Sequence, residues 1–177
     1  TAEVNSLNRK QWSEITNRQQ WEKFRDPRIA ALRESLGQFP KPPTRLNTRT
    51  THVIEGDGFR IENILYESRP DQWVPGNLYV PAKLTKSMPG ILLAHSHHGG
   101  KTDRELQDMG MTWARAGCLV LVIDQLGYGE RRTHPFKNDS DYAKPYKASR
   151  QDYYFRQDTG IQLQLLGDSL MGWMVWD

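Results

Sequence analysis

Two short apolar runs constrain the fold of this chain more than any other feature. GILLAH at 90–95 and CLVLVID at 118–124 have the length and continuity of strands that are buried on both faces. The stretch between them, at 103–116, has helical periodicity and ends before Gly117. Because a strand, a helix and a second strand in this order form a βαβ unit, we expect an α/β fold, with a mostly parallel sheet and helices on both faces.

The segment before these runs predicts further strands. TTHVIEG and FRIENILYES alternate polar and apolar residues, and the Gly56-Asp57-Gly58 sequence between them is a strong hairpin signal. WVPGNLYVP at 73–81 predicts another strand, in which Pro75-Gly76 indicates a bulge or a turn.

The first 45 residues are predicted to be helical. Residues 6–25 form a polar amphipathic pattern, and Asp26-Pro27 is typical of an N-cap followed by the first position of a second, short helix. That helix is predicted to end at Gly37, and the proline-rich stretch at 39–45 then forms a linker that cannot continue a helix.

Composition excludes several classes of protein. No apolar run approaches the roughly 20 residues needed to cross a bilayer. Residues 1–50 carry 10 Lys or Arg and 5 Asp or Glu, but no recognition motif accompanies this positive charge, so nucleic-acid binding is not predicted. The single cysteine, Cys118, rules out an internal disulfide. The compartment stays open between the cytoplasm and export after removal of a signal.

Two loops follow the apolar runs and form the candidate site. They are HSHHGGKTD at 95–103 and DQLGYGERR at 124–132. Ligands of doubly wound α/β folds bind beyond the carboxyl ends of the strands, and glycine pairs allow the backbone to approach a ligand closely.

Four interpretations of the first loop stay open. His95, His97 and His98 resemble the start of a metal site, although only His52 and His134 remain as further histidine ligands. A phosphate-binding loop is disfavoured because the glycine spacing matches neither nucleotide motif. An oxyanion loop would present backbone N–H groups to a developing negative charge. A turn that only connects two elements is the fourth interpretation.

The order of three motifs gives a more specific indication. GILLAHSHHGGK, CLVLVIDQLGYGER and GIQLQLLGDSLMGWMVWD together resemble the N-terminal half of an α/β-hydrolase, in the branch of acetyl xylan esterases and dienelactone-hydrolase-like enzymes. The resemblance covers residues 50–177. It implies a hydrolase domain that begins at 46 and is incomplete at 177, preceded by a helical extension and proline-rich linker at 1–45.

The resemblance also implies roles for individual residues. The backbone N–H of His97 takes the place of an oxyanion donor, although Ser96 stands where the family has glycine. Residues expected at the substrate are His98, Tyr128, Glu130 and Arg131. For Glu130, Arg131 and Arg132 we favour internal pairing over contact with an anionic substrate. Residues expected to be structural are His95, Gly99, Gly100, Asp124, Gly127 and Gly129. A possible aromatic lid comprises Tyr128, Tyr142, Tyr146, Tyr153, Tyr154 and Phe155.

Ser169 lies in a sequence that matches the GDSL esterase signature, yet we predict that it is not catalytic. A nucleophile elbow has the form G-x-S-x-G, and Met171 stands where the second glycine is needed. The preceding GIQLQLL is typical of a helix, and a GDSL enzyme would carry its serine near the N-terminus. The resemblance therefore implies a Ser/Asp/His triad beyond residue 177.

The function expected from these observations is part of a serine hydrolase that acts on carboxylic esters, including acetylated carbohydrates. The chain would supply the oxyanion loop and pocket walls, would be inactive alone, and would use no cofactor or metal. Its partner would be the remainder of the hydrolase domain, in the same protein or in a separate chain. One alternative is a non-catalytic, hydrolase-like binding module, or a fragment that assembles with a partner chain; a metal-dependent hydrolase using the three histidines at 95–98 is another.

Overall fold

A computed structural model describes residues 2–95, 99–132 and 151–177, with the side chains of 151–154 outside the description. The helices are α1 (Ala2–Ser13), α2 (Arg18–Ser35), α3 (Arg104–Arg115), α4 (Gln151–Leu165) and α5 (Leu170–Trp176), with a 3₁₀ turn at Gly129–Arg131. The strands are β1 (Arg49–Gly56), β2 (Phe59–Arg69), β3 (Gln72–Pro81), β4 (Gly90–Leu93) and β5 (Leu119–Ile123).

The strands form one mixed sheet in the order β1-β2-β3-β5-β4. β4 and β5 are parallel and joined through α3, as the βαβ pattern predicts, whereas β1/β2, β2/β3 and β3/β5 are antiparallel pairs. The expectation of a mostly parallel sheet is therefore wrong for the described residues. For β1/β2 and β2/β3 the reason lies in the connections, because tight hairpin turns can join only antiparallel strands and a parallel pair needs a long crossover.

The predicted hairpin at Asp57-Gly58 is confirmed, with Gly58 at a φ of 79° in the turn. The bulge or turn predicted at Pro75-Gly76 is wrong, because β3 continues through both residues and Pro75 pairs with Leu65. The irregularities of register lie elsewhere, between Thr50 and His52 and between Glu67 and Arg69.

The core has two parts, one on each face of the sheet, because side chains alternate along each strand. The α3 side buries Phe59, Tyr79, Leu106, Ala114, Cys118, Val120 and Val122. The opposite side buries Ile64, Tyr66, Val74 and Ile123. β4 is the edge strand of the described sheet and its Leu92 is 62% exposed, so the expectation that this run is buried on both faces is wrong here.

The N-terminal helices differ from the expectation at Asp26-Pro27. α2 begins at Arg18, where the side chain of Asn17 accepts the backbone N–H of Gln20 at 3.0 Å, and it continues through Pro27. Asn17 therefore supplies the start signal that the sequence analysis placed at Asp26. We call α1 and α2 the N-terminal arm. Neither of its helices contains a buried residue.

The arm contacts the body of the molecule at α5. The carbonyl of Leu36, which caps α2, lies directly against Gly172 of α5. The ring of Phe39 stacks on Trp176, with centroids 5.8 Å apart. None of the helices among the described residues has the length and apolar character that a bilayer crossing requires.

Candidate functional site

The candidate site lies where β4 and β5 end. Because these strands are parallel neighbours, the chain segments that follow them, at 95–101 and 124–131, leave the sheet at the same edge. Within the first segment, Ser96, His97 and His98 lie outside the described residues. The oxyanion role of His97 and the substrate contact of His98 therefore stay predictions.

Asp124 joins the two segments. Its carboxylate is fully buried and accepts the backbone N–H of Lys101 at 2.7 Å, the Lys101 ammonium at 2.6 Å and the backbone N–H of Glu130 at 3.1 Å. The same ammonium also donates to the Glu130 carboxylate. We call Lys101, Asp124 and Glu130 the strand-end clamp. It supplies the counter-charge and donors without which a buried carboxylate is strongly destabilising.

Two glycines make room for this carboxylate. Gly100 and Gly129 have φ angles of 139° and 51°, in the region that side chains rarely adopt. A Cβ atom at Gly100 would lie 2.6 Å from Asp124 Oδ1, and one at Gly129 would overlap the carboxylate itself. The N–H of Gly129 donates to the carbonyl of Gly99 at 3.1 Å, which adds a direct backbone link between the segments.

His95 and Tyr128 pack together beside the clamp. Both are buried, and their rings meet edge to face with centroids 4.9 Å apart. The side chain of Gln125 donates to the carbonyl of His95 at 2.7 Å. His95 and Tyr128 line a cavity of about 480 Å³ together with the α5 residues Met171, Met174 and Val175.

Arg131 forms a buried ion pair with Asp177 at 2.6 Å, and their side chains are 6% and 4% exposed. Asp177 also accepts the Ser68 hydroxyl on its carboxylate and the Tyr66 hydroxyl on its carbonyl, each at 2.6 Å. Burial, with the nearby Asp177 charge, raises the pKa of Tyr66 to about 12. Arg131 and Glu130 thus make the internal pairs favoured from the sequence, and their contact with substrate stays a prediction.

Ser169 is the N-cap of α5 rather than a residue within a helix, which corrects the expected setting. Its hydroxyl accepts the N–H of Gly172 at 3.3 Å. The neighbouring Asp168 accepts the Trp173 indole at 2.7 Å and the Ser169 N–H at 2.8 Å, and these hydrogen bonds hold the pKa of Asp168 below its usual value. The prediction that Ser169 is not catalytic remains to be tested.

The expected aromatic lid is described only in part. Tyr128 and Phe155 are each 4% exposed, and Phe155 packs against Gly127, so these two rings lie inside the molecule. Tyr142 and Tyr146, and the side chains of Tyr153 and Tyr154, lie outside the described residues, as do His134 and most of the metal candidate. Within the described ranges, His, Cys, Asp and Glu form no group of three or more that is suited to a metal ion.

A second, wider cleft lies on the α3 side of the sheet. It has a volume of about 960 Å³ and reaches from the β2 residues Ile61 and Asn63 to the clamp residues Lys101 and Glu130. Its polar wall is largely paired internally, since Asn63 donates to Asn77 at 2.7 Å.

Comparison with known proteins gives a result at the level of structure only. No family model matches the chain, and no curated protein matches it. A protein from Bacteroides fragilis described as an acetyl xylan esterase superposes on 89% of the chain with a TM-score of 0.64 and 16% identity. A methylesterase superposes on 95% with a TM-score of 0.56 and 18% identity.

These similarities decide the fold. The chain has an α/β-hydrolase fold. It spans 41% and 36% of the length of the two esterase structures, so the likeness concerns part of each of those proteins. Because 95% of the chain superposes on the methylesterase, the shared fold also includes most of the N-terminal arm.

Lys101, Gln125 and Asp177 were not predicted from the sequence as site residues. Lys101 pairs with Asp124 across 23 positions, and Asp177 pairs with Arg131 across 46. Neither pair belongs to a local motif. In the sequence, Lys101, Asp124 and Arg131 stand in or beside glycine-rich turns, and Asp177 follows an apolar helix. These positions alone do not predict which residues are in contact.

Proposed function

We propose that this chain supplies part of a serine hydrolase that cleaves carboxylic esters, with a Ser/Asp/His triad on residues outside 1–177. One observation carries the proposal: two adjacent parallel strands end in segments that Asp124 holds together, within a fold shared with two esterases. This is the edge at which α/β folds bind their ligands.

In this proposal the segment after β4 provides the backbone N–H of His97 to the oxyanion. The triad serine attacks the ester carbonyl carbon, and the negative charge that develops on the carbonyl oxygen is stabilised by this donor. Collapse of the intermediate expels the alcohol, and water then releases the acid from the serine. Tyr128 lines the cavity, and His98, Glu130 and Arg131 are the further residues proposed to contact the substrate. The residues proposed to hold the backbone are His95, Gly99, Gly100, Asp124, Gly127 and Gly129.

The finer assignments belong to the same proposal. Acetylated carbohydrates are the narrower substrate class, since one of the structural neighbours is described as an acetyl xylan esterase. Residues 46–177 are the N-terminal half of the hydrolase domain and 1–45 are its helical extension. The remainder of the domain, in the same protein or in a partner chain, completes the site, and this chain alone is inactive.

An ester-hydrolysis assay on the intact protein tests the proposal. We expect release of 4-nitrophenol from 4-nitrophenyl acetate, with loss of activity after treatment with an organophosphate and no loss after treatment with EDTA. Activity that EDTA abolishes and zinc restores would instead favour the metal-dependent alternative. Absence of hydrolysis across acetyl, butyryl and methyl esters would favour the non-catalytic binding module.

A further inference from the structure

We propose that Lys101 is a positioning residue of the ester-hydrolase site, because its ammonium fixes the segment after β4 against the turn after β5. The inference rests on the proposed function, since it concerns the same strand ends. Lys101 ends the motif GILLAHSHHGGK, but no role was predicted for it from the sequence, and its role follows from its contacts alone.

Two separate groups of Lys101 donate hydrogen bonds to the Asp124 carboxylate. The backbone N–H contacts Oδ1 at 2.7 Å and the ammonium contacts Oδ2 at 2.6 Å. The side chains are 7% and 1% exposed, so water does not compete for these contacts. A carboxylate held through both oxygens by one residue has little freedom to rotate or to shift.

The clamp extends from Asp124 to the end of the turn. The ammonium of Lys101 also contacts the Glu130 carboxylate, and the backbone N–H of Glu130 donates a hydrogen bond to Asp124 Oδ2. The Lys101 carbonyl accepts Asn77 of β3 at 3.4 Å, which ties the same residue to the sheet. The two segments and the sheet are therefore linked at Lys101.

The clamp residues bracket the part of the turn that faces the cavity. Tyr128 lies between Asp124 and Glu130 in the chain, and its ring packs on His95 at the end of β4. A shift of the turn relative to the first segment changes the separation of these rings and the wall of the cavity. Misplacement of groups by about 1 Å costs up to about 100-fold in rate.

Three variants of the intact protein separate positioning from stability: K101M, D124N and the double variant K101M/D124N. K101M leaves the buried Asp124 carboxylate without its cation, and D124N leaves the buried Lys101 ammonium with only the exposed Glu130 carboxylate, so each should lower Tm. The double change removes both charges, so it should recover most of that loss. If Lys101 positions the site, kcat for 4-nitrophenyl acetate stays about 10- to 100-fold low in the double variant while KM changes less than about threefold. The matched control K83M, at an exposed lysine, should change neither Tm nor kcat.

Hydrogen exchange gives a reading that does not depend on activity. We expect the amides of 99–101 and 125–131 to exchange faster in K101M/D124N than in the wild type. A double variant that regains both Tm and kcat would overturn the inference, since Lys101 would then only stabilise the fold. Wild-type protein that hydrolyses no ester would overturn the proposed function and this role with it, whereas hydrolysis unaffected by K101M would overturn the inference alone.

Discussion

The N-terminal arm and the strand ends of β4 and β5 differ in how far their ion pairs are exposed to solvent. In the arm, Arg18 and Glu22 form an ion pair with side chains 90% and 37% exposed. At the strand ends, the ion pairs of Lys101 with Asp124 and of Arg131 with Asp177 are almost wholly buried. Both regions contain ion pairs with distances below 3 Å, so distance does not distinguish them.

Burial decides whether the loss of one partner destabilises an ion pair's surroundings. Water solvates each charge of an exposed pair when the partner is removed, so such pairs contribute only about 0.2–1 kcal/mol. Water does not reach a buried charge that loses its partner, so the loss lowers the free energy of unfolding by about 3–5 kcal/mol. The strand ends therefore depend on their two buried pairs, Lys101 with Asp124 and Arg131 with Asp177, whereas the Glu130 side chain is 70% exposed and should matter less.

The largest expected effect comes from making the same substitution in both regions. R131M leaves Asp177 buried without its cation and should lower the free energy of unfolding by about 3–5 kcal/mol. R18M should lower it by no more than about 0.5 kcal/mol. Urea unfolding with a common m value measures both, and losses of similar size would refute the comparison.

The raised pKa of Tyr66, whose hydroxyl donates to the Asp177 carbonyl, predicts that the free energy of unfolding falls at high pH. The pKa is raised to about 12 in the folded protein, above the ordinary value of 10.0, so the contribution of Tyr66 is complete below pH 10 and is lost as pH rises towards 12. The loss is at most about 2–3 kcal/mol. Urea unfolding of wild type and Y66F at pH 9 and pH 11 measures it, and an identical pH dependence in both proteins would contradict it.

The contact between the arm and α5 is tested at two helical glycines. A Cβ atom at Gly172 would collide with the Leu36 carbonyl, so G172A should cost about 1–3 kcal/mol and loosen the arm. At Gly160, among the described residues, a Cβ would meet only Leu170, at 3.7 Å, so G160A should stabilise by about 0.5–1 kcal/mol. Thermal unfolding gives the signs, and limited proteolysis at residues 38–48 reports release of the arm. Stabilisation by G172A would show that the arm does not dock there.

A further small effect is expected at two helix caps, one in the arm and one at α5. S169A and N17A each remove a helix N-cap, at the start of α5 and of α2, and each should cost about 1 kcal/mol. S169A should also leave the kcat for ester hydrolysis of the intact protein unchanged. Loss of activity without a change in Tm would identify Ser169 as catalytic and would overturn its assignment as a cap.

Local signals in the sequence predicted local structure well. The Asp57-Gly58 turn, α3 and the βαβ unit follow from turn chemistry and periodicity acting over a few residues. The start of α2 was not predicted correctly, because both Asn17 and Asp26 are suitable N-cap residues and the helix tolerates Pro27.

Long-range features were beyond the sequence patterns. The antiparallel direction of β3 beside β5 depends on which strands become neighbours, and no local pattern encodes that choice. The same holds for the clamp, since Lys101 and Asp124 meet only after the crossover through α3 has formed. The glycines at 100 and 129 were identified from their loops, whereas the carboxylate that requires them became apparent from the packing.

Labelling of the intact protein with a fluorophosphonate, followed by peptide mass spectrometry of the adduct, tests the proposal that this chain is part of a serine hydrolase whose nucleophile lies outside residues 1–177. We expect one adduct, on a serine that does not belong to these 177 residues. An adduct on Ser169 or on any other serine of this chain, or the absence of labelling, would contradict it.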